Sequence, residues 1–333
     1  MINSIEKKAY DIGFDIIGFS HVIKEDEYLK RVLEKKEKMT LYPRKEEDIN
    51  KYIDTEQYLN KCKTIISVGI CYNTKRKPIV KNSITYSKSS FGEDYHLVLS
   101  KKIEQLISYL KSNIDGLEVY YSIDTSNLDD RYFAHLAGNG FYGKNSMIIN
   151  NKYGSMVFYG TILLNHKLTF KQPLLIQDGC FECHKCESTC PTKSLNNYIL
   201  NYQTCLSYLT QSKTLISSKL IKNNVYGCDI CNDVCPYNTN YDNREYFEDE
   251  QYYDVKDFIA LTNNDYNKLF KSKSLGWLNK NIIKKNAILS LNNIKRDKKS
   301  LIIERDELIK KKGSSLLIDA YNYILERSDE NEL

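Results

Sequence analysis

The apolar and polar positions of the first half of the chain follow a helical period in some segments and strand-like runs in others. Residues 1–20 read as an amphipathic helix followed by a strand. Residues 93–113 repeat their apolar side chains about every 3.6 positions, which predicts a long helix. Runs rich in β-branched and aromatic residues predict strands at residues 64–72, 117–123 and 154–164. We therefore expect residues 1–165 to form an α/β unit.

The last part of the chain is helical by pattern, and a cysteine-rich stretch precedes it. Residues 280–294, 301–312 and 314–327 predict helices, with Gly313 and Ser314 separating the last two. The segment NIIKKNAILSLNNI resembles one helix of a HEAT-type unit. The overall prediction is an α+β fold of three units, namely an α/β unit at 1–165, a ferredoxin-like unit at 166–245 and HEAT-like helices at 246–333.

Length and composition agree with a folded protein of several units. The chain has 333 residues, of which 41% are hydrophobic, and this length suggests two or three structural units. No apolar stretch reaches the roughly 18 residues that a membrane helix needs. Residues 1–20 also lack the apolar segment and cleavage site of a signal peptide. We therefore expect a cytoplasmic protein with no membrane partner, in which the ten cysteines are not a disulfide framework.

Eight of the cysteines lie between residues 180 and 235. The run CFECHKCESTCP, from Cys180, has the CxxCxxCxxxCP spacing of bacterial ferredoxins. The run CDICNDVCP, from Cys228, repeats the ending but lacks one cysteine, which Cys205 can supply. In two-cluster ferredoxins the last cysteine of a run ligates the other cluster. The predicted ligand sets are Cys180, Cys183, Cys186 and Cys235 for one [4Fe–4S] cluster, and Cys190, Cys205, Cys228 and Cys231 for the other.

Zinc binding and buried structural cysteines are the alternatives for this constellation. Zinc sites use paired CxxC units with four ligands and rarely show the ferredoxin run, so the spacing favours two iron–sulfur clusters. Cys62 and Cys71 lie outside the constellation. We interpret these two as small apolar residues of a strand or of the segment leading to it.

Positive charge is concentrated near the C-terminal helices. Residues 268–300 contain ten Lys or Arg residues and one acid, whereas residues 242–257 are mainly acidic. A concentrated basic face points to a polyanionic partner, and nucleic acid is the commonest one. The alternative is a solvated helix face that merely reflects the lysine-rich composition of the whole chain.

Several motifs together resemble the epoxyqueuosine reductase family. They include the two cysteine runs, the segment CLSYLTQSK from Cys205, and the segment IDTSNLDDRYFAHLAGNGFYGKN from Ile123. The last of these follows the family pattern VDTGPLxDRxxAExAGxGxxGKN. It departs from that pattern at Ser126, Asn127 and His135, where the family usually has glycine, proline and glutamate. The resemblance extends over nearly the whole chain.

The resemblance implies reduction of epoxyqueuosine to queuosine at the wobble position of tRNA. Electrons would pass through two [4Fe–4S] clusters to a cobalamin held between the α/β and ferredoxin-like units. Asp124 matches the family's proton donor, and the chemistry calls for one because removing an epoxide oxygen consumes two electrons and two protons. A carboxyl group in an apolar pocket beside a corrin ring would suit this role. The alternative is that Asp124 caps a helix beginning near Leu128.

Further contacts follow from the resemblance and from the basic stretch. The implied cofactor-binding residues are Arg131, Lys144, Ile148, Ser207, Cys228 and Asp229. Lys213 matches a family lysine that contacts tRNA, and the basic stretch adds Lys280, Lys284 and Lys285 as predicted tRNA contacts. The expected partners are the anticodon arm of tRNA and an external electron donor, and the expected state is a monomer.

Two other functions remain open from the sequence. A corrinoid reductive dehalogenase has a similar ferredoxin-like half, but such enzymes are usually exported with a twin-arginine signal, which residues 1–20 lack. A non-catalytic electron carrier of the ferredoxin type would leave residues 1–165 and the basic helices without a role. Corrin content would separate the carrier from the two enzymes, and tRNA binding would separate the two enzymes from each other.

Overall fold

The computed structural model describes residues 1–23, 30, 49–76, 80–124, 126–176, 178–239, 253–294 and 297–327. The predicted boundary at residue 245, most of the acidic stretch, and Lys295 and Arg296 of the basic stretch lie outside these ranges. Within them, no helix combines the length and the apolar character that crossing a membrane requires.

Residues 1–165 contain the elements that their apolar pattern predicts, with ends shifted by a few residues. The long helix and the three strands are confirmed, as is the N-terminal helix–strand pair. The elements are α1 (Ile2–Ile12), β1 (Ile16–His21), β2 (Thr64–Cys71), β3 (Thr85–Tyr86), α2 (Tyr95–Asn113), β4 (Val119–Ser122), α3 (Asp130–Leu136), β5 (Phe141–Tyr142), β6 (Ile148–Ile149) and β7 (Val157–Leu164).

The main sheet has the strand order β1-β2-β7-β4, and each neighbouring pair is antiparallel. All eight residues of β2 are buried, because helices cover both faces of the sheet. The helices α1 and α2 share one apolar core with alternate residues of β2, and α3 packs with the other residues on the opposite face. The unit is thus an antiparallel sheet with helices, which corrects the expectation of an α/β unit in the sense of a parallel sheet.

Short elements dominate the cysteine-rich part, and longer helices follow it. In the described residues after 165 the elements are α4 (Lys185–Thr189), β8 (Leu195–Asn196), β9 (Ile199–Leu200), α5 (Leu206–Gln211), α6 (Ser218–Ile221), β10 (Asn224–Tyr226), α7 (Ile230–Asp233), α8 (Val255–Ala260), α9 (Asn263–Phe270), α10 (Lys280–Ser290), α11 (Lys298–Lys310) and α12 (Ser315–Arg327). The three predicted C-terminal helices are confirmed as α10, α11 and α12, but their HEAT-like character stays a prediction.

One apolar core joins all three predicted units. It contains Tyr86 and Phe91 from the first unit, Leu206 and Val225 from the second, and the inner faces of the C-terminal helices. The strands β3 and β10 also pair in parallel across the first two units. The cysteine-rich part is therefore held against both neighbours, which fixes the walls of the cavities that its cysteines line.

Candidate active site

The eight clustered cysteines line two cavities, in the same two sets that the spacing predicts. The first cavity, of about 300 Å³, is lined by Cys180, Cys183, Cys186 and Cys235. The second cavity, of about 550 Å³, is lined by Cys190, Cys205, Cys228 and Cys231. Four thiols around a common space are the donor set that a four-iron cluster requires. The donor sets therefore fit one [4Fe–4S] cluster at each cavity.

The two cavities lie next to each other because two short helices pack together. The helix α4 carries Cys186 of the first set, α7 carries Cys231 of the second set, and the two helices are in contact. Burial, followed by neighbouring thiols that include Cys186, raises the pKa of the Cys231 thiol. Bound iron would favour the thiolate form that this protein environment disfavours.

Asp124 lies on the wall of the second cavity, in a backbone conformation that is uncommon for an aspartate. Its φ angle is +52° and its side chain is exposed. The Oδ2 atom of Asp124 accepts a hydrogen bond from the Tyr95 hydroxyl at 3.0 Å. Burial, and then the nearby Asp124 charge, raise the pKa of Tyr95, so this hydroxyl keeps its proton and remains a donor. The described residues alone do not enclose Asp124 in an apolar pocket.

The helix after Asp124 is capped by a different residue. The helix α3 begins at Asp130, and the side chain of Asp129 accepts hydrogen bonds from the backbone N–H groups of Arg131 and Tyr132. This arrangement satisfies the orphan donors at the start of the helix. The capping interpretation of Asp124 is therefore wrong, and its carboxylate is available to the second cavity.

Asp130 is a second carboxyl group on this wall, and the sequence did not single it out. It is buried, and its Oδ2 atom accepts a hydrogen bond from the backbone N–H of Asp124 at 2.7 Å. Its other oxygen accepts from the Thr161 hydroxyl on β7. Burial raises the pKa of Asp130 to about 7, even though these two hydrogen bonds act in the opposite direction. Asp130 therefore joins the Asp124 loop to the central sheet.

The predicted cofactor-binding residues divide between the two cavities and the core. Arg131, Ser207 and Cys228 line the second cavity. Lys144 instead lines the first cavity, where its ammonium group donates to the Phe181 carbonyl at 2.6 Å. The side chain of Ile148 is buried in the core. Cofactor contacts by Lys144 and Ile148 stay predictions.

Asp229 also lines the second cavity, but its carboxylate is already engaged. It accepts hydrogen bonds from the Arg76 guanidinium at 2.6 Å, the Ser87 hydroxyl at 2.6 Å and the Lys88 backbone N–H at 2.8 Å. Asp229 therefore ties the Cys228–Cys231 turn to the first unit. A buried carboxylate with three donors has little capacity left for a cofactor.

Two family models match the chain over parts of its length. The one described as 4Fe-4S double cluster binding domain matches residues 179–238, which include all eight clustered cysteines. The one described as Epoxyqueuosine reductase QueG, DUF1730, matches residues 53–125, which include Asp124. An epoxyqueuosine reductase of Bacillus subtilis (strain 168) is 34% identical over 86% of this chain and 78% of its own length. The chain belongs to the epoxyqueuosine reductase family.

Other members of the family are similar over almost the whole chain. An epoxyqueuosine reductase of Lactococcus garvieae (strain Lg2) is 30% identical over 97% of this chain and 95% of its own. The solved enzyme from Streptococcus thermophilus, at 30% identity, superposes with a TM-score of 0.87 over 96% of this chain and 88% of that one. A family structure with an epoxyqueuosine-modified tRNA-Tyr stem loop superposes with a TM-score of 0.84, at 28% identity, over 98% of both chains. Membership in this oxidoreductase family decides against the dehalogenase and the electron carrier.

The predicted tRNA-binding lysines occupy two different environments. Lys213 is exposed and Lys280 is half-exposed. Lys284 and Lys285 are buried, and burial lowers the pKa of each to about 8. The Lys284 ammonium donates to the Leu261 carbonyl, and that of Lys285 donates to the carbonyls of Ser212 and Thr214. The prediction that Lys284 and Lys285 contact phosphates directly is therefore wrong, because their ammonium groups face the protein interior.

Proposed function

We propose that this chain reduces epoxyqueuosine to queuosine at the wobble position of tRNA, with Asp124 as a proton donor. One observation supports the proposal most directly: the second cysteine set and Asp124 line the same cavity. A source of electrons and a source of protons thus meet in one space. The reaction needs both, since two electrons and two protons release the epoxide oxygen as water, and a carbon–carbon double bond forms between the two carbons that carried it.

Cobalamin is the cofactor that this cavity would hold. The second cavity is also lined by the aromatic residues Tyr72, Phe158 and Tyr159, which suit a large flat ring. The Tyr159 hydroxyl is buried and has no hydrogen-bond partner among the described residues, so it remains available to a ligand. Arg131 and Ser207 would bind the polar edge of the group. When bound, cobalamin would supply the transfer of electrons to the substrate.

The residues around Asp124 are arranged to deliver a proton to a departing oxygen. The side chain is exposed to the cavity, its backbone N–H is fixed by Asp130, and the Tyr95 hydroxyl orients its carboxyl group. A positioned general acid typically accelerates such a step by ~10²–10⁴-fold. A group bound in this cavity would also exclude water from the space that Asp124 faces. A related epoxyqueuosine reductase structure from Bacillus subtilis has its aspartate-bearing catalytic loop swung out of the active site.

The substrate would be bound through its anticodon arm. A related enzyme has been solved with a modified tRNA stem loop. In this chain the exposed Lys213 and the half-exposed Lys280 are the remaining candidates for phosphate contacts. A tRNA substrate supports a cytoplasmic location for the protein. We further propose a monomer that takes electrons from an external donor.

The direct test is an anaerobic assay with tRNA that contains epoxyqueuosine, followed by nucleoside mass spectrometry. Protein with both clusters and with cobalamin should convert epoxyqueuosine to queuosine, whereas protein without cobalamin should not. Asp115→Asn is a matched control for a substitution of Asp124 in this assay, because Asp115 is exposed but does not line either cavity. Absence of queuosine with fully loaded protein and a strong chemical reductant would contradict the proposed function.

A further inference from the structure

Trp277 is the single tryptophan of the chain, and it stands at the mouth of the second cavity. Its side chain is 70% exposed, although it lines the same cavity as Asp124. A large aromatic side chain is usually buried, because removing its apolar surface from water is favourable. Its neighbours Leu275 and Leu278 are buried in the core. The turn therefore directs one large aromatic group outwards and its two leucines inwards.

The turn that carries Trp277 is fixed against the first unit. The Ser272 carbonyl accepts a hydrogen bond from the Asp94 backbone N–H at 2.9 Å. The Ser274 hydroxyl donates to the Ser89 carbonyl at 2.9 Å. A side chain at Gly276 would lie 2.3 Å from the Phe270 carbonyl oxygen, so the tight turn requires glycine. These constraints hold the turn beside Tyr95, which contacts Asp124.

The buried Tyr226 on β10 lines the same cavity as Trp277. The turn therefore places an exposed indole π face beside the cavity before any ligand arrives.

We propose that Trp277 is a stacking platform for an unpaired nucleobase of the tRNA loop that enters the second cavity. The proposal rests on the proposed function. It adds a contact that does not depend on the identity of the base, because every nucleobase presents a π face. Bases of single-stranded loops are commonly recognised by stacking on aromatic side chains. A base suits this position better than the corrin ring does, because Trp277 lies on the exposed rim whereas the aromatic residues Tyr72 and Tyr159 lie on the buried wall.

Binding of an anticodon stem-loop RNA to cluster-loaded protein tests the platform. Trp277→Ala should weaken binding by roughly 5- to 150-fold, as loss of one stacked base does. Trp277→Phe should recover most of the affinity, because it keeps an aromatic face. The slope of affinity against salt should stay unchanged, since no phosphate contact is removed. Tyr10→Ala is a matched control, because Tyr10 is an exposed aromatic residue on α1 that does not line the second cavity.

The single tryptophan also supplies a direct optical signal. Its fluorescence, excited selectively over tyrosine, should be quenched by the stem loop in the parent protein and in Tyr10→Ala. Parent-like RNA affinity of Trp277→Ala with equal iron content would overturn the proposal. So would a loss of cobalamin uptake with RNA affinity intact, since the indole would then face the corrin. If the parent protein itself bound no tRNA, the proposed function would fail instead.

Discussion

The two cavities are each lined by four cysteines, but they differ in the other residues that line them. Apart from the cysteines and Tyr237, the titratable residues lining the first cavity are Lys144 and Lys185, and no carboxylate is among the described residues that line it. The second cavity is larger and is also lined by Asp124, Asp130 and Arg131. Among the described residues, carboxyl groups thus accompany only one of the two cluster sites. Under the proposed function, the first site would relay electrons and the second would adjoin the chemistry.

The different roles assigned to the two cavities would be contradicted most clearly if either cluster could be removed without loss of turnover. Cys205→Ser should remove a ligand of the second set and abolish turnover, because electrons could no longer reach the cavity that holds Asp124. The cluster of the first set should persist, giving about half of the parent iron content, in line with eight iron atoms for two four-iron clusters. Cys183→Ser is the matched variant for the first set. Iron analysis with electron paramagnetic resonance would show which cluster remains.

A positioning role for Asp130 would add a second carboxyl group with a function at the second cavity, and none of the described residues that line the first cavity has such a group. Asp130→Asn should lower kcat by roughly 10- to 100-fold, as expected when a catalytic group is misplaced, because an amide turns an N–H₂ group towards one of the two donors, the Asp124 N–H and the Thr161 hydroxyl, from which the carboxyl oxygens accept. The KM for tRNA and the cluster content should stay close to those of the parent. Parent-like kcat in this variant would show that Asp130 does not position Asp124.

Asp130 should also leave a signature in the pH dependence of stability. Burial raises its pKa from 3.8 to about 7 in the folded protein. Between these values the folded state holds a proton that the unfolded state has released, so the free energy of unfolding falls as pH rises through this window. Asp130→Asn should remove that component. Thermal unfolding of parent and variant from about pH 4 to pH 7 checks this, and identical slopes would contradict it.

The smallest expected effect concerns a lysine far from the chemistry. Lys285 donates to the carbonyls on either side of Lys213, at 3.0 Å and 2.6 Å. Lys285→Met should therefore weaken tRNA binding several-fold by releasing the Lys213 loop, and the salt slope should fall by about one unit. In the double variant with Lys213→Ala, the two losses should not add. Lys284→Met is the buried control, because Lys284 donates to Leu261 instead. Additive losses would rule out action through Lys213.

The sequence predicted most elements and both cysteine sets, because these depend on local periodicity and on short spacing. It did not predict the antiparallel order of the sheet, since strand pairing is set by contacts distant in sequence. It also misplaced Lys284 and Lys285. In a lysine-rich chain, charge alone cannot distinguish an ammonium group bound to buried carbonyls from one in solvent. The sequence also did not reveal that Asp130 is buried, because its burial depends on β7, 31 residues later in the chain.

The central claim is that electrons and a proton converge in the second cavity, and Asp124→Asn tests it most directly. This variant keeps the size of the side chain but cannot donate an acidic proton. We expect parent levels of iron, cobalamin and tRNA binding, with reduction of epoxyqueuosine in tRNA slowed by ~10²–10⁴-fold in anaerobic single-turnover experiments. Near-parent rates of queuosine formation by Asp124→Asn would contradict the account.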